Sequence, residues 1–436
     1  MWVTLMNKTR ALLPVIIALA IAPIMVSEAS GAAFRLEEKS VKASGRAFAG
    51  AAAATDDTGI IAYNPAGMTE LGTAQVGVGG YLIRPQVPLE NAGSSMTVGG
   101  LGPFPVAGDQ TSQGFSTQPT GYAYMAAPVM SDLWVSLAVT VPYGLKASYD
   151  TTAFSRYDSL KSELAVLDIS PAVAFRVNDM ISIGGGLDIQ HVTATLTNAL
   201  PNPLDPMGPS PASDGLLNLN AKNWGLGFNL GVHLRPTDRL DIGLTYRYGV
   251  HHDLSGTAIT QFGGGETSMG AQARLNLPEI YSLGISYRAT DTVTLLATID
   301  YAGWDSFKEL RVHFADDTEA VTTENFRNSW SASLGADIQV SERLAVRAGG
   351  QYDETPTVDA YRSTRIPDPD RIWGTVGLTY NLSNHLAVDM SYAHEFKSHV
   401  PVNRVNEFPA LATTVETHAT GAPRSDVLGL GLRAAF

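Results

Sequence analysis

The 436-residue sequence contains no cysteine, which excludes disulfide bonds, thiolate metal ligands and a cysteine nucleophile. Charge is also scarce, because only 16% of the residues are Asp, Glu, Lys or Arg, against about 25% in soluble domains. The 29 Lys and Arg residues form no cluster and are outnumbered by 42 Asp and Glu residues, and the net charge of −13 argues against nucleic acid as a partner. A bundle of membrane-spanning helices would need several apolar runs of about 20 residues, and only one comparable run exists.

That single run lies at the N-terminus. Lys8 and Arg10 precede an uncharged stretch over 11–26, and a segment of small residues over 29–33 follows. A basic start, a short apolar stretch and a small-residue exit are typical of a secretory signal peptide, and we prefer this to a helical anchor. We assign residues 1–31 to a signal peptide that is cleaved near 31–33, and we expect an exported mature protein.

From about residue 74 onward, apolar residues recur at every second position. Over 224–234, large apolar side chains alternate with glycine and polar residues, and segments 240–250 and 330–340 repeat this arrangement. Such alternation predicts strands with one face toward an apolar medium and the other toward a polar one. Taken alone, it fits a soluble sandwich as well as a membrane barrel.

The lengths of the connections favour the barrel. Six short turns, near residues 129–131, 178–179, 236–238, 290, 341 and 382–383, alternate with longer segments. Most predicted strands also reach the ~9–11 residues that a tilted membrane crossing requires, and their number is even. Together with the alternation of turn lengths, these features are typical of a bacterial outer-membrane barrel. The fourteen predicted strands are 74–84, 119–127, 132–142, 163–177, 180–196, 222–235, 239–251, 271–289, 291–303, 326–339, 342–353, 371–381, 384–396 and 425–436.

The end of the chain supports this interpretation. Alternating leucines lead to the terminal Phe436, and a last strand ending in an aromatic residue resembles the sorting signal of bacterial outer-membrane proteins. Several tyrosines lie near predicted strand ends, where the aromatic girdles of membrane barrels occur. These are Tyr246, Tyr248, Tyr287, Tyr301, Tyr352, Tyr380 and Tyr392.

Residues 33–73 do not alternate and are rich in alanine and glycine. A fourteen-stranded barrel has a lumen between that of filled eight-stranded barrels and that of open porins. We therefore predict that residues 32–73 form a hatch inside the lumen of a barrel formed by residues 74–436. Composition alone leaves a disordered periplasmic tail as the alternative.

Several motifs, in order along nearly the whole mature chain, resemble those of the FadL/TodX family of outer-membrane transporters of hydrophobic compounds. The N-terminal ones are Phe34-Arg35-Leu36, Ser44-Gly45-Arg46-Ala47, Asp56-Asp57 and the hatch motif Asn64-Pro65-Ala66. Later ones are Val141-Pro142-Tyr143-Gly144, Leu275-Asn276-Leu277-Pro278-Glu279, the set Trp304, Phe307, Leu310 and Arg311, and the run from Ile366 to Trp373. The resemblance implies a fourteen-stranded barrel with an N-terminal hatch, located in the bacterial outer membrane.

The resemblance also implies a transport route. Ligand is captured at extracellular loops, binds in an apolar lumen pocket, and leaves laterally through a gap in the wall after the hatch rearranges. Proline lacks a ladder donor, so Pro142, Pro171 and Pro278 are candidate gate residues. We prefer Pro142, because it lies in the segment that resembles the family's kinked third strand. We place Gly184, Gly185 and Gly186 at the same opening, because they lack side chains that would block it.

Two residues are predicted to contact the ligand. Phe34 would line the pocket from the hatch, and the resemblance implies that Arg311 binds a carboxylate, although it could instead be a solvated arginine beside Glu309. A second basic position of the family falls on Asn198 here, which leaves room for an uncharged ligand. We therefore expect long-chain fatty acids, with aromatic hydrocarbons as the alternative and a general hydrophilic porin as the weaker one.

No enzymatic constellation stands out in the sequence. His251 and His252 would point to opposite faces of a strand, which makes a poor metal chelate. We expect no enzyme, no metal, no cofactor and no nucleic-acid partner, and a monomer surrounded by outer-membrane lipids. The polar residues predicted to face the lumen mix both signs, which favours a network that holds the hatch. They are Asp188, Arg247, Asp300, Asp337, Arg347 and Asp389.

Overall fold

A computed structural model describes residues 33–206 and 208–436, so the predicted signal peptide lies outside the described residues. Fourteen antiparallel strands pair in chain order, and the first also pairs with the last, from Gln75 opposite Ala435 to Gln86 opposite Arg424. This closed barrel confirms the predicted fold class and strand number. The strands are β1 Gln75–Gln86, β2 Gln118–Pro128, β3 Leu133–Ser148, β4 Lys161–Asn178, β5 Ile181–Leu200, β6 Gly215–Thr237, β7 Leu240–Arg247, β8 Ile280–Arg288, β9 Val293–Ala302, β10 Ser329–Gln339, β11 Leu344–Asp353, β12 Arg371–Ser383, β13 Leu386–Glu395 and β14 Arg424–Ala435.

The wall has the inverted polarity of a membrane barrel. Large apolar side chains such as Leu226, Leu334 and Leu430 point outward and are more than half exposed. Charged side chains such as Asp188 and Arg347 point inward and are buried. An apolar exterior around a polar interior is the arrangement that a lipid bilayer requires.

The predicted strand 271–289 is wrong in one respect, because it contains two strands. A hairpin, His251–Phe262 with Gly265–Asn276, rises beyond the short β7 and pairs with the upper part of β6. The chain then breaks at Leu277, whose amide donates to the Val250 carbonyl oxygen, and Pro278, which has no amide hydrogen, and β8 begins only at Ile280.

Further loop strands cover the same end of the barrel. A second hairpin, Glu309–Phe314 with Glu319–Thr323, continues the wall upward beside the first. A separate small sheet lies over the mouth. Its strands are Leu89–Asn91, Ser95–Val98, Leu101–Pro105, Thr111–Ser112, Val400–Phe408 and Thr413–Gly421.

The N-terminal segment, residues 33–73, is mostly buried and contains only short helices. These are α1 Val41–Ser44, α2 Ile60–Tyr63 and a 3₁₀ helix at Pro65–Glu70; two further 3₁₀ turns, Trp304–Ser306 and Pro409–Leu411, lie in the loops. Among the described residues, no helix has both the length and the apolar composition needed to cross a membrane.

Hydrogen bonds join the N-terminal segment to strands around the whole barrel. Its partners lie on β2, β3, β5, β6, β9 and β10; they are Tyr122, Pro142, Ser182, Val232, Ala297 and Asp337. Because inward-facing groups on so many strands bond to one short segment, the segment spans the space that the wall encloses.

Candidate ligand-binding site and wall opening

Buried ion pairs connect the N-terminal segment to the inner wall. Arg35 donates to Asp300 over 2.7 Å, and Arg46 pairs with Asp337. On a different part of the wall, Arg433 of β14 donates to Asp389 over 2.6 Å and to the carbonyl oxygen of Asp56 over 3.0 Å. The predicted inward polar residues therefore form a network that engages this segment, and each acid has a cation as partner.

The hatch motif lies against β5 and β6. The Asn64 side chain donates to the carbonyl oxygens of Ala52 and Val232, over 2.8 and 3.0 Å, and accepts from the Ala66 amide over 3.1 Å. Asn64 therefore caps the 3₁₀ helix that follows it and ties this helix to the wall.

The structure places Gly184, Gly185 and Gly186 within the wall formed by β4, β5 and β6. A Cβ atom at Gly184 would lie 2.6 Å from the Ala66 nitrogen, so the glycine makes room for the hatch motif. The three glycines pair without a gap to residues 172–174 of β4 and 229–231 of β6. The wall is therefore hydrogen-bonded where these glycines lie, which favours a role in hatch packing, and their role at a lateral opening stays a prediction.

The pairing of β2 with β3 ends partway along the wall. Their register runs from Pro128 opposite Trp134 to Ala123 opposite Val139, and no pairs follow above it. The freed edge of β3 bonds to the N-terminal segment: the Leu36 amide donates to the Pro142 carbonyl oxygen over 2.8 Å, and the Gly144 amide donates to Phe34 over 2.9 Å. On its other side, β3 shifts register against β4 between Thr140 and Tyr143. Pro142 thus lies at the break, and its role as a gate stays a prediction.

An apolar cavity of about 100 Å³ lies directly above this break. Phe34 forms part of its lining and packs edge-on against Trp304 and Phe307, with ring centroids 4.8 and 6.0 Å apart. Leu145 of β3 and Leu275 of the first hairpin contribute to the same lining. The cavity and the break therefore share Phe34, and its contact with a ligand stays a prediction.

Arg311 does not line the cavity. Leu310 and Val312 line the cavity, and because successive side chains of a strand point to opposite faces, the Arg311 side chain between them points away from the cavity. Arg311 is exposed and pairs with Glu309 and Glu319 on the outside of the hairpin. The predicted carboxylate-binding role of Arg311 therefore does not fit its position, and the solvated alternative does.

The cation that lines the cavity is Arg365. Its guanidinium donates to the Ser162 hydroxyl over 2.8 Å and more weakly to the Lys161 carbonyl oxygen, and no carboxylate among the described residues forms an ion pair with it. Sequence reasoning missed Arg365, although it directly precedes the Ile366-Pro367 motif. Desolvation at this half-buried position lowers the pKa of Arg365, despite the opposing influence of Asp158 and Glu324.

Two carboxylates line the cavity as well. Glu163 pairs with Lys161 over 3.1 Å. Glu324 is buried, and its nearest cation, Arg404, is 3.9 Å away. Burial raises the pKa of Glu324 to about 7, despite the opposing influence of Arg404. The cavity is therefore apolar over most of its surface. Its charged groups are the Arg365 guanidinium and the carboxyl groups of Glu163 and Glu324, and the pKa of Glu324 is raised.

A closed barrel with an apolar exterior, an internal segment and an apolar cavity defines an outer-membrane transport channel for hydrophobic molecules. The model of the family described as outer membrane protein transport protein (OMPP1/FadL/TodX) matches residues 23–436. The chain belongs to this family, whose members are outer-membrane transporters of hydrophobic compounds and not enzymes.

Individual proteins show the same relationship. Outer membrane protein P1 of Haemophilus influenzae is 27% identical over 445 residues, covering 94% of this chain and 96% of that protein. The long-chain fatty acid transport protein of Salmonella typhi is 27% identical over 416 residues, covering 88% and 92%. The crystal structure of a Pseudomonas aeruginosa FadL homologue superposes with a TM-score of 0.83 at 23% identity, covering 93% and 100%.

Proposed function

We propose that this protein carries long-chain fatty acids across the outer membrane and releases them sideways through its wall. The observation that carries the proposal is the Arg365 guanidinium, which lies at an apolar cavity without a carboxylate partner of its own. A half-buried cation that forms no ion pair favours an anionic group on an otherwise apolar ligand. The relative from Salmonella typhi named as a long-chain fatty acid transport protein supports this choice.

The ligand's own physical chemistry explains why such a route is needed. Exposing a sixteen-carbon chain to water costs on the order of 10 kcal/mol, at ~0.8 kcal/mol per methylene group. A water-filled pore would not lower this cost. The chain must stay on apolar surface from its capture at the extracellular loops to its release.

The positions of Phe34 and Pro142 suggest the inner half of the route. Phe34 contributes its side chain to the cavity and its backbone carbonyl to the free edge of β3. We propose that residues 32–73 act as a hatch whose first residues close the break between β2 and β3. Movement of Phe34 and Leu36 away from β3 would connect the cavity to the lipid phase beside Pro142.

Binding of oleate and of methyl oleate to Arg365→Ala tests the ligand assignment. The loss of a charge-assisted hydrogen bond costs ~1.5–3 kcal/mol, roughly 10- to 150-fold in affinity. We expect this loss for oleate only, since the ester carries no charge. Arg311→Ala is the matched control and should bind both ligands as the wild type does. Equal losses of both ligands in Arg365→Ala would contradict a role in binding the carboxylate.

A disulfide across the break tests lateral release. Tyr122→Cys with Thr140→Cys joins the two strands just above their last paired residues, and Ala126→Cys with Ser136→Cys joins them where they are already paired. The first cross-link should abolish oleate uptake into liposomes and leave oleate binding intact, whereas the second should change neither. Unchanged uptake with the first pair oxidised would mean that the ligand leaves through the periplasmic mouth.

The cavity volume favours aromatic hydrocarbons as a second candidate. At about 100 Å³ it approaches the size of an engineered apolar cavity of ~150 Å³ that binds benzene. If toluene is the transported ligand, it should compete with oleate, and Arg365→Ala should leave its binding unchanged. Uptake of labelled toluene without uptake of labelled oleate would replace the first proposal with the second.

A further inference from the structure

We propose that binding of a ligand carboxylate at Arg365 is coupled to the uptake of one proton by Glu324. The neutral acid side chain would then share the cavity with the anionic ligand. This inference rests on the proposed fatty-acid function and adds a dependence on proton concentration that an uncharged hydrophobic ligand would not show.

The first argument is the shared space. Glu324 and Arg365 both line one cavity of about 100 Å³, yet they form no ion pair with each other. A carboxylate that accepts hydrogen bonds from Arg365 must therefore enter the same small apolar space as the Glu324 carboxyl group. A second carboxylate close to Glu324 in this poorly solvated site disfavours the charged form of both groups, which favours uptake of a proton by one of them.

The second argument is that the surroundings leave Glu324 without a strong partner. No hydrogen bond to its carboxyl oxygens is found among the described residues, and the Nη2 atom of Arg404 remains 3.9 Å away. Arg404 instead donates to the carbonyl oxygens of Thr323 and Tyr361, over 2.6 and 2.8 Å. This cation is thus engaged elsewhere and compensates Glu324 only partly.

The other charged groups near Glu324 have partners of their own. Asp158 accepts from both the amide and the hydroxyl of Thr364 over 2.6 Å. Glu163 pairs with Lys161, and the Lys308 ammonium donates to the carbonyl oxygen of Phe326 over 2.9 Å. Of the two carboxyl groups that line this cavity, Glu324 is therefore the one with the weaker ion pair.

The proton comes from bulk solvent and forms the O–H bond of the Glu324 carboxyl group, and no other bond changes. Because burial already raises the pKa of Glu324 to about 7, taking up this proton near neutral pH requires little free energy. Below this pH the site is ready for an anion. Above this pH, Glu324 is ionised in the free protein, and its protonation on ligand binding costs more free energy as the pH rises.

The test uses the full mature protein in detergent, with decanoate as the anionic probe and methyl decanoate as its uncharged counterpart. Between pH 7 and 8.5, decanoate affinity should fall by up to about tenfold per pH unit, and the ester should bind equally well throughout. Calorimetry in two buffers of different ionisation heat should show uptake of up to one proton per decanoate bound in this range. A flat pH profile for decanoate, or binding without proton uptake, would overturn the coupling.

Glu324→Gln isolates the residue responsible. This variant should bind decanoate at pH 8.5 as tightly as the wild type does at low pH, with no proton uptake. Glu309→Gln, a substitution of an exposed acid on the second hairpin, should keep the wild-type profile. A wild-type slope in Glu324→Gln would overturn the assignment, and the wild-type calorimetry remains decisive if that variant does not fold. Failure of wild-type protein to bind decanoate at any pH would refute the fatty-acid function itself.

Discussion

Replacing Gly184 with alanine should loosen the hatch without weakening the barrel. A Cβ atom there would lie 2.6 Å from the Ala66 nitrogen and 2.8 Å from the Pro65 carbonyl carbon, both of which are backbone atoms that cannot rotate away. The motif Asn64-Pro65-Ala66 would have to move as a unit. Such overpacking typically costs 1–3 kcal/mol, which corresponds to roughly a 5- to 150-fold increase in channels with a displaced hatch.

The barrel wall itself should tolerate the same change. Alanine is a better strand residue than glycine, so β5 should be unaffected or slightly more stable. Gly185→Ala is the control at the next position. Its Cβ atom would lie 3.2 Å from the flexible Leu230 side chain and 3.3 Å from the Asn229 carbonyl oxygen, which are looser contacts than those at Gly184. Heat-modifiable migration on gels should show that both variants fold.

Single-channel conductance in planar bilayers measures the displaced hatch. Gly184→Ala should show more frequent or longer openings than the wild type, and Gly185→Ala should match the wild type. Equal conductance in all three proteins would mean that the close approach of Ala66 to β5 does not hold the hatch. Reduced oleate uptake in both variants, with unchanged conductance, would indicate that these glycines act at the lateral opening instead.

Two further substitutions test the route, and one sequencing measurement tests the processing of the chain. Pro142→Val restores an amide donor at the break and should slow oleate uptake several-fold while leaving oleate binding unchanged; faster uptake would contradict its role as a gate residue. Phe34→Ala removes an aromatic surface from the cavity and should weaken oleate binding by about tenfold in a fluorescence titration, whereas unchanged affinity would place the ligand elsewhere. N-terminal sequencing of the protein from outer membranes should begin near residues 31–33, and a longer N-terminus would contradict the predicted signal peptide.

The sequence by itself determined the barrel, because the responsible signal is local. A membrane strand meets lipid on one face and polar lumen on the other, so Leu226 and Leu430 alternate with inward residues whatever the rest of the chain does. The alternation of short turns and long loops is equally local. Inward charges such as Asp188 and Arg347 could also be recognised, since no lipid-facing position would carry them.

Only the tertiary structure decided which residues form the site. Arg311 matched a family motif, but the alternation of its hairpin turns it outward, and Arg365 reaches the cavity from a loop about 200 residues away from its partner Ser162. Gly184 could not be distinguished from a gate residue until the approach of Ala66 was known. The break between β2 and β3 and the weak pairing of Glu324 with Arg404 likewise depend on segments that are distant in the chain. Such contacts arise from how loops and the hatch pack inside the wall, and no local pattern specifies them.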